Sequence, residues 1–146
     1  MKIKLKKLNP EATIPTRATE HSNGYDLYAL EKGYLYSQGG RSAIPTGIAI
    51  EIPIGYVGLV CPRSGLAIKK GIGIINAPGV IDADYRGEIM VLLVNQDDRE
   101  GKVFHYSAGD KIGQLLVVKT EELEFEEVQE LSDTQRGAGG LGSTGR

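Results

Sequence analysis

Hydrophobic positions along the chain recur mostly at every second residue. Ile3 and Leu5 alternate with lysines, and Ile48, Ile50 and Ile52 alternate with Ala49 and Glu51, the pattern of strands with one buried face. Tyr56 to Cys61, Glu88 to Asn95 and Ile112 to Lys119 are further runs rich in valine, leucine and isoleucine, each bounded by Gly, Pro or Asp. Short strands separated by turns predict an all-β sandwich or barrel. One stretch reads as helix, two turns at most: Ser64 is placed to cap it, Leu66, Ala67 and Ile68 follow, and Gly71 sits where a left-handed C-terminal residue belongs.

Glu121 to Leu131 holds six glutamates with Leu123, Phe125, Val128 and Leu131 between them, a spacing that fits a bulged strand or a short helix. After Leu131 the apolar periodicity stops, and Arg136 to Gly145 contains five glycines. The pattern therefore divides the chain into a β domain over residues 1–131 and an arm over 132–146, expected to be flexible unless something orders it.

A length of 146 residues fits a single domain, and 40% hydrophobic with 25% charged residues is a globular composition. Glycine is the outlier, since 20 residues is about twice the usual share and disfavours an all-helical bundle. Lysine plus arginine total 17 against 19 acids, a net charge of −2 that leaves no basic footprint for duplex nucleic acid. Cys61 stands alone, the start MKIKLKKLNP lacks the apolar core of a signal peptide, and no apolar run approaches a membrane span. Together these predict a cytoplasmic protein with no membrane partner.

Candidate chemistry gathers in four clusters. The tail carries a literal G-x-G-x-x-G at Gly137, Gly139 and Gly142, yet no strand precedes it and no helix follows, so the dinucleotide reading fails. Its backbone N–H groups with Arg136, Ser143, Thr144 and Arg146 remain phosphate donors. Pro62-Arg63-Ser64-Gly65 lies between a strand and the short helix, where free N–H groups favour an anion, although a plain cap and a solvated arginine fit as well. Asn76 to Gly87, NAPGVIDADYRG, reads as a hairpin with polar residues at its mouth. There Asp82 and Asp84 could act as base and orienting partner and Asn76 could both donate and accept, or all three could be turn residues. Gly24-Tyr25-Asp26-Leu27 places an acid near a turn. No spacing of His, Cys, Asp and Glu makes a protein metal cage, so any metal must arrive with substrate.

In order, GYDLYAL, PRSGLA, GVIDADYRG, GDKIGQ and RGAGGLGSTG resemble the five motifs of the trimeric dUTP nucleotidohydrolases (dUTPases), over Gly24 to Gly145. The resemblance implies an all-β, jelly-roll-like subunit with one short helix. It also implies a homotrimer with active sites at subunit interfaces, closed by the C-terminal arm. The implied reaction is attack of water on the α-phosphorus of dUTP, giving dUMP and pyrophosphate.

Carried over by motif, Arg63, Ser64 and Gly65 resemble the phosphate cradle, and Gln114 the amide near the α-phosphate. Asn76 resembles the reader of the uracil edge, assisted by backbone groups of Val80, Ile81 and Met90. Tyr85 resembles the tyrosine under the deoxyribose that leaves no room for a 2′-hydroxyl, and Asp82 the carboxylate that activates water. The resemblance implies Mg2+ on the phosphates, with Asp26 reaching it through water. Arg136, Ser143 and Thr144 would grip the γ-phosphate, with Gly142 beside them. The arm departs from the family at GGLGSTG, where Leu141 stands at the usual place of a phenylalanine stacked on uracil. A dCTP deaminase resembles this fold but lacks the Arg-Gly-rich closing arm. A regulatory trimer that answers to a protein partner is the alternative from another class, and intact Asp82, Gln114 and arm residues argue against it.

Overall fold

The valine- and isoleucine-rich runs fold as strands where their alternation predicts. The computed structural model describes residues 1–140, and these form β1 (Lys4–Lys7), β2 (Thr16–Arg17), β3 (Tyr25–Tyr28), β4 (Gly33–Tyr36), β5 (Arg41–Pro45) and β6 (Ile48–Glu51). There follow β7 (Tyr56–Cys61), α1 (Ser64–Lys70), β8 (Ile72–Ile74), β9 (Gly79–Ile81), β10 (Met90–Asn95), β11 (Val103–Tyr106) and β12 (Lys111–Lys119). A five-stranded sheet runs β2-β3-β12-β7-β9 and a three-stranded one β5-β10-β8, joined by the pairs β1-β6 and β11-β4. All strand pairs are antiparallel.

Leu27, Val60, Ile112 and Leu115 from the five-stranded sheet meet Ile44, Ile72, Val91 and Leu93 from the three-stranded one in a single core cluster. Each such side chain contributes roughly 1.5–3 kcal/mol by leaving water. The sheets approach closely at Gly113, where a Cβ would lie 3.2 Å from Val91 Cγ1 and 3.4 Å from Ile74 Cδ1. Two of the buried polar side chains, Thr46 and Asn95, bond to backbone carbonyls far away in sequence. Thr46 Oγ1 donates to the Ile89 carbonyl at 2.5 Å, and Asn95 Nδ2 donates to the Leu35 carbonyl at 3.1 Å.

Four sequence expectations need correction. Ser64 does not cap α1: Arg63, extended at φ −99° and ψ 124°, occupies the cap, and its carbonyl accepts from Leu66 N and Ala67 N at 3.1 and 3.0 Å. Ser64 is thus the first helical residue, and the other end matches the expectation, with Gly71 left-handed at φ 66°. Ala49 is buried with its isoleucine neighbours instead of facing out, because a methyl is small enough for both faces of β6 to be covered. The stretch from Asn76 to Gly87 is no simple hairpin. β8 and β10 are antiparallel neighbours, but the chain between them crosses to the other sheet, where β9 pairs with β7 (Leu59 opposite Val80). Glu121 to Leu131 is neither strand nor helix. Among the described residues it has no partner strand, and Leu123, Phe125 and Leu131 remain 72%, 92% and 87% exposed.

Candidate active site

Three adjacent strands of the five-stranded sheet build a charged group on the face turned away from the core. Gly113 packs toward the core and Leu115 is buried, so Gln114 between them points outward. Asp26 on β3 stands directly across from Gln114, and Gln114 directly across from Cys61 at the end of β7. The chain then passes through Pro62 to Arg63, whose Nε lies 3.3 Å from Asp26 Oδ1 and whose Nη1 donates to the Lys111 carbonyl at 3.0 Å. Lys111 Nζ lies 2.7 Å from Asp26 Oδ2 without hydrogen-bond geometry, so this buried oxygen has a cation beside it but no hydrogen-bond donor.

Strand alternation alone would set Lys111 and Gln114, three residues apart, on opposite faces. A register shift between Lys111 and Gly113 corrects this. It leaves Lys111 opposite Tyr28 and Gln114 opposite Asp26, two residues apart on β3 and therefore on one face. Gln114 Nε2 donates to the Pro62 carbonyl at 2.9 Å, tying β12 to the entry of α1. Ser64 and Gly65 are exposed beside Arg63.

A second group lies at the β9 edge, where the chain crosses between sheets. A concavity of about 210 Å³ there brings together Asn76, Val80, Ile81, Asp82, Tyr85 and Met90. Asp82, exposed, follows β9 directly, and a turn closed by Tyr85 N to the Asp82 carbonyl at 3.1 Å brings Tyr85 back toward it. Tyr85 Oη donates to the Glu88 carbonyl at 3.0 Å, and Glu88 Oε1 accepts from Gly47 N at 2.6 Å. The tyrosine is thus hydrogen-bonded at its tip and 42% exposed along its body.

The two groups share no lining residue. One occupies the outer face of β3-β12-β7, the other the gap at the β9 edge. Arg136 joins neither, since its Nε donates to the Gly139 carbonyl at 2.9 Å on the surface. Leu141, Gly142, Ser143 and Thr144 lie outside the described residues. Another concavity, about 440 Å³, lies elsewhere; Lys69, Lys70, Lys102 and His105 line it, and its one acid, Asp97, is tied to Arg99 by contacts of 2.9 and 2.6 Å. Among the described residues no group of three His, Cys, Asp or Glu side chains could hold a metal ion.

The dUTPase family model matches residues 10–145. The chain is 48% identical over 146 residues to the deoxyuridine 5'-triphosphate nucleotidohydrolase of Nautilia profundicola, covering 100% of both. It is 50% identical over 144 residues to that of Corynebacterium glutamicum, covering 99% of this chain and 95% of the relative. Among solved structures it superposes on a dUTPase of Staphylococcus bacteriophage 80alpha with dUpNHpp at a TM-score of 0.90, with 28% identity over 99% of each chain. The dUTPase of phage phi11 of S. aureus, described with a coordinated structural Mg(II) ion, matches at a TM-score of 0.79, with 27% identity over 89% of this chain and 98% of that one. The all-β fold with one short helix is therefore shared with enzymes of this kind. The chain belongs to the dUTPase family.

Sequence reading missed Lys111, because the register shift that turns it toward Asp26 has no sequence signature beyond Gly113 after a buried isoleucine. It also missed Val60, Gly79, Glu88 and Leu92 in the concavity. Glu88 directly follows the YRG turn, and a carboxylate placed there was the signal available.

Proposed function

We propose that the chain carries out its family's reaction, hydrolysis of dUTP to dUMP and pyrophosphate, with the nucleoside held by the concavity of one copy and the triphosphate by the charged group of another. The observation that carries this reading is the convergence of Asn76, Val80, Ile81, Asp82, Tyr85 and Met90 in one concavity that contains no cation able to hold phosphate. The cations stand instead with Gln114 on the outer sheet face. A homotrimer resolves the separation. The exposed Leu123, Phe125 and Leu131 support it, since apolar side chains beyond the last strand call for cover by a neighbour.

In this reading Asn76 pairs with the uracil edge through its amide donor and acceptor, beside backbone groups of Val80, Ile81 and Met90. Backbone groups cannot exchange donor for acceptor as an amide can, so they separate uracil from cytosine. Tyr85, fixed at its hydroxyl by the Glu88 carbonyl, packs on the sugar and excludes a 2′-hydroxyl. Asp82 accepts a proton from water as its oxygen bonds to the α-phosphorus, while the bond to the bridging oxygen breaks and pyrophosphate leaves with the electron pair. Arg63, the N–H groups of Ser64 and Gly65, and the Gln114 amide hold the phosphate oxygens. Arg136, Leu141, Gly142, Ser143 and Thr144 close over the substrate.

Mg2+ would be held mainly by substrate phosphates, because Asp26 is already paired with Arg63 and Lys111 and its Oδ2, which accepts no hydrogen bond, is left to reach the ion through water. When bound, the ion would offset triphosphate charge. No helix in the described residues is long and apolar enough to cross a membrane; a place in the cytoplasm follows from the proposed action on the nucleotide pool. The test is a nucleotide panel assayed for pyrophosphate with and without magnesium. Release from dUTP should far exceed that from dCTP, dTTP or UTP, and comparable rates on UTP would remove Tyr85 from its role.

A further inference from the structure

Gly24, the residue before β3, has no backbone reason to be glycine. Its φ is not positive, unlike those of Gly47, Gly55 and Gly71 at 71°, 82° and 66°. The atoms that a side chain there would meet first all belong to one neighbour. A Cβ on Gly24 would lie 2.2 Å from Gln114 Oε1, 3.2 Å from Gln114 Cδ and 3.5 Å from Gln114 Cβ, and these are the three nearest atoms. Gly24 lies two residues before Asp26, so Gln114, directly opposite Asp26 on β3, leans diagonally onto the bare backbone.

The amide nitrogen is held by a hydrogen bond. Nε2 donates to the Pro62 carbonyl at 2.9 Å, and turning the amide over would set two carbonyl oxygens against each other. Gln114 is thereby held at Nε2, with its Oε1 in the space that the missing side chain of Gly24 leaves, one N–H engaged and the second left to reach a ligand. We infer that Gly24 is a positioning residue: it provides the space that fixes the Gln114 amide in the orientation that the phosphate-binding site requires. The inference rests on the role proposed above for Gln114.

The expected signature separates function from folding. Real Cβ contacts essentially never fall below 3.0 Å, so a methyl at position 24 displaces Oε1, now 2.2 Å away, by about 1 Å. The displaced atom is the far end of an unbranched side chain, which yields at little cost to the fold. A misplacement of about 1 Å in a positioned group costs roughly 10²-fold in turnover.

The experiment compares Gly24→Ala, Gln114→Ala and the double variant by kcat/KM for dUTP, thermal midpoint, and the side-chain NH2 resonances of 15N-labelled Gln114. Gly24→Ala should lose roughly 10²-fold in kcat/KM, keep the wild-type thermal midpoint, and shift the Gln114 NH2 resonances. Once Gln114 is alanine, adding Gly24→Ala should change kcat/KM by less than about twofold, because the two act as one unit. Near wild-type turnover in Gly24→Ala, losses that multiply in the double variant, or unmoved NH2 resonances would each overturn the inference. If Gln114→Ala itself keeps wild-type kcat/KM, the role given to Gln114 fails and the inference with it, while a shift of the NH2 resonances in Gly24→Ala would show that the contact exists.

Discussion

Tyr85 lies over Gly87: a Cβ at position 87 would fall 2.4 Å from the Tyr85 hydroxyl oxygen and 2.6 Å from Cζ. The same hydroxyl donates to the Glu88 carbonyl at 3.0 Å, so one bare backbone unit and one carbonyl set where the ring stands. Because the ring is the proposed sugar gate, Gly87→Ala should displace it and relax the preference for dUTP over UTP. The ratio of kcat/KM values should fall by about tenfold or more, the scale of a single pocket contact. An unchanged ratio would mean that the ring position does not govern sugar choice.

Asp82 is the proposed base. Asp82→Asn keeps the shape of the side chain and removes the proton acceptor, so kcat should fall by roughly 10²–10⁴. Binding of dUpNHpp, measured by titration calorimetry, should persist. Near wild-type kcat would assign the water to another residue.

The arm is proposed to act on the triphosphate. Ending the chain at Gln135 removes Arg136, Ser143 and Thr144 and should abolish turnover, while dUMP, which has no γ-phosphate, binds much as before. Light scattering should report the oligomer of the full chain. Monomers in the truncated protein would make the arm a structural element instead.

Away from the site, the hydrogen bonds from the Arg99 side chain and backbone N–H hold the Asp97 carboxyl at about 2, below its ordinary 3.8. A depressed carboxyl stabilises the fold at pH above its unfolded value and loses that contribution as pH falls through the folded one. The loss should therefore run from about 3.8 down to about 2. Carbon-detected NMR should place the Asp97 midpoint near 2, and Arg99→Ala should return it toward 3.8. A midpoint near 3.8 in the unmutated protein would mean that the pair does not form in solution.

A strand was legible where valine and leucine run together between turn residues, as in Tyr56 to Cys61, whose observed bounds are those read from the sequence. Gly71 was legible because a glycine after a short apolar helical run has one common use. The polar stretch from Asn76 to Gly87 was legible as chemistry but not as topology. Leaving one sheet for the other at β9 depends on pairing with β7, a non-local contact that no local pattern encodes. Lys111 was hidden by the register shift, which reverses the face that alternation assigns. Glu121 to Leu131 carried a real apolar pattern, yet a pattern specifies structure only when a surface exists to bury it. Here the described residues supply none.

The central claim is that one copy's nucleoside concavity works with another copy's Arg63–Gln114 group, and subunit complementation tests it most directly. Asp82→Asn and Arg63→Gln should each be inactive alone. Unfolded together in equal amounts and refolded, they should recover about a quarter of wild-type activity, since random assembly leaves that share of sites with both halves intact. Activity no greater than the sum of the two variants would place both halves within one chain and contradict the account.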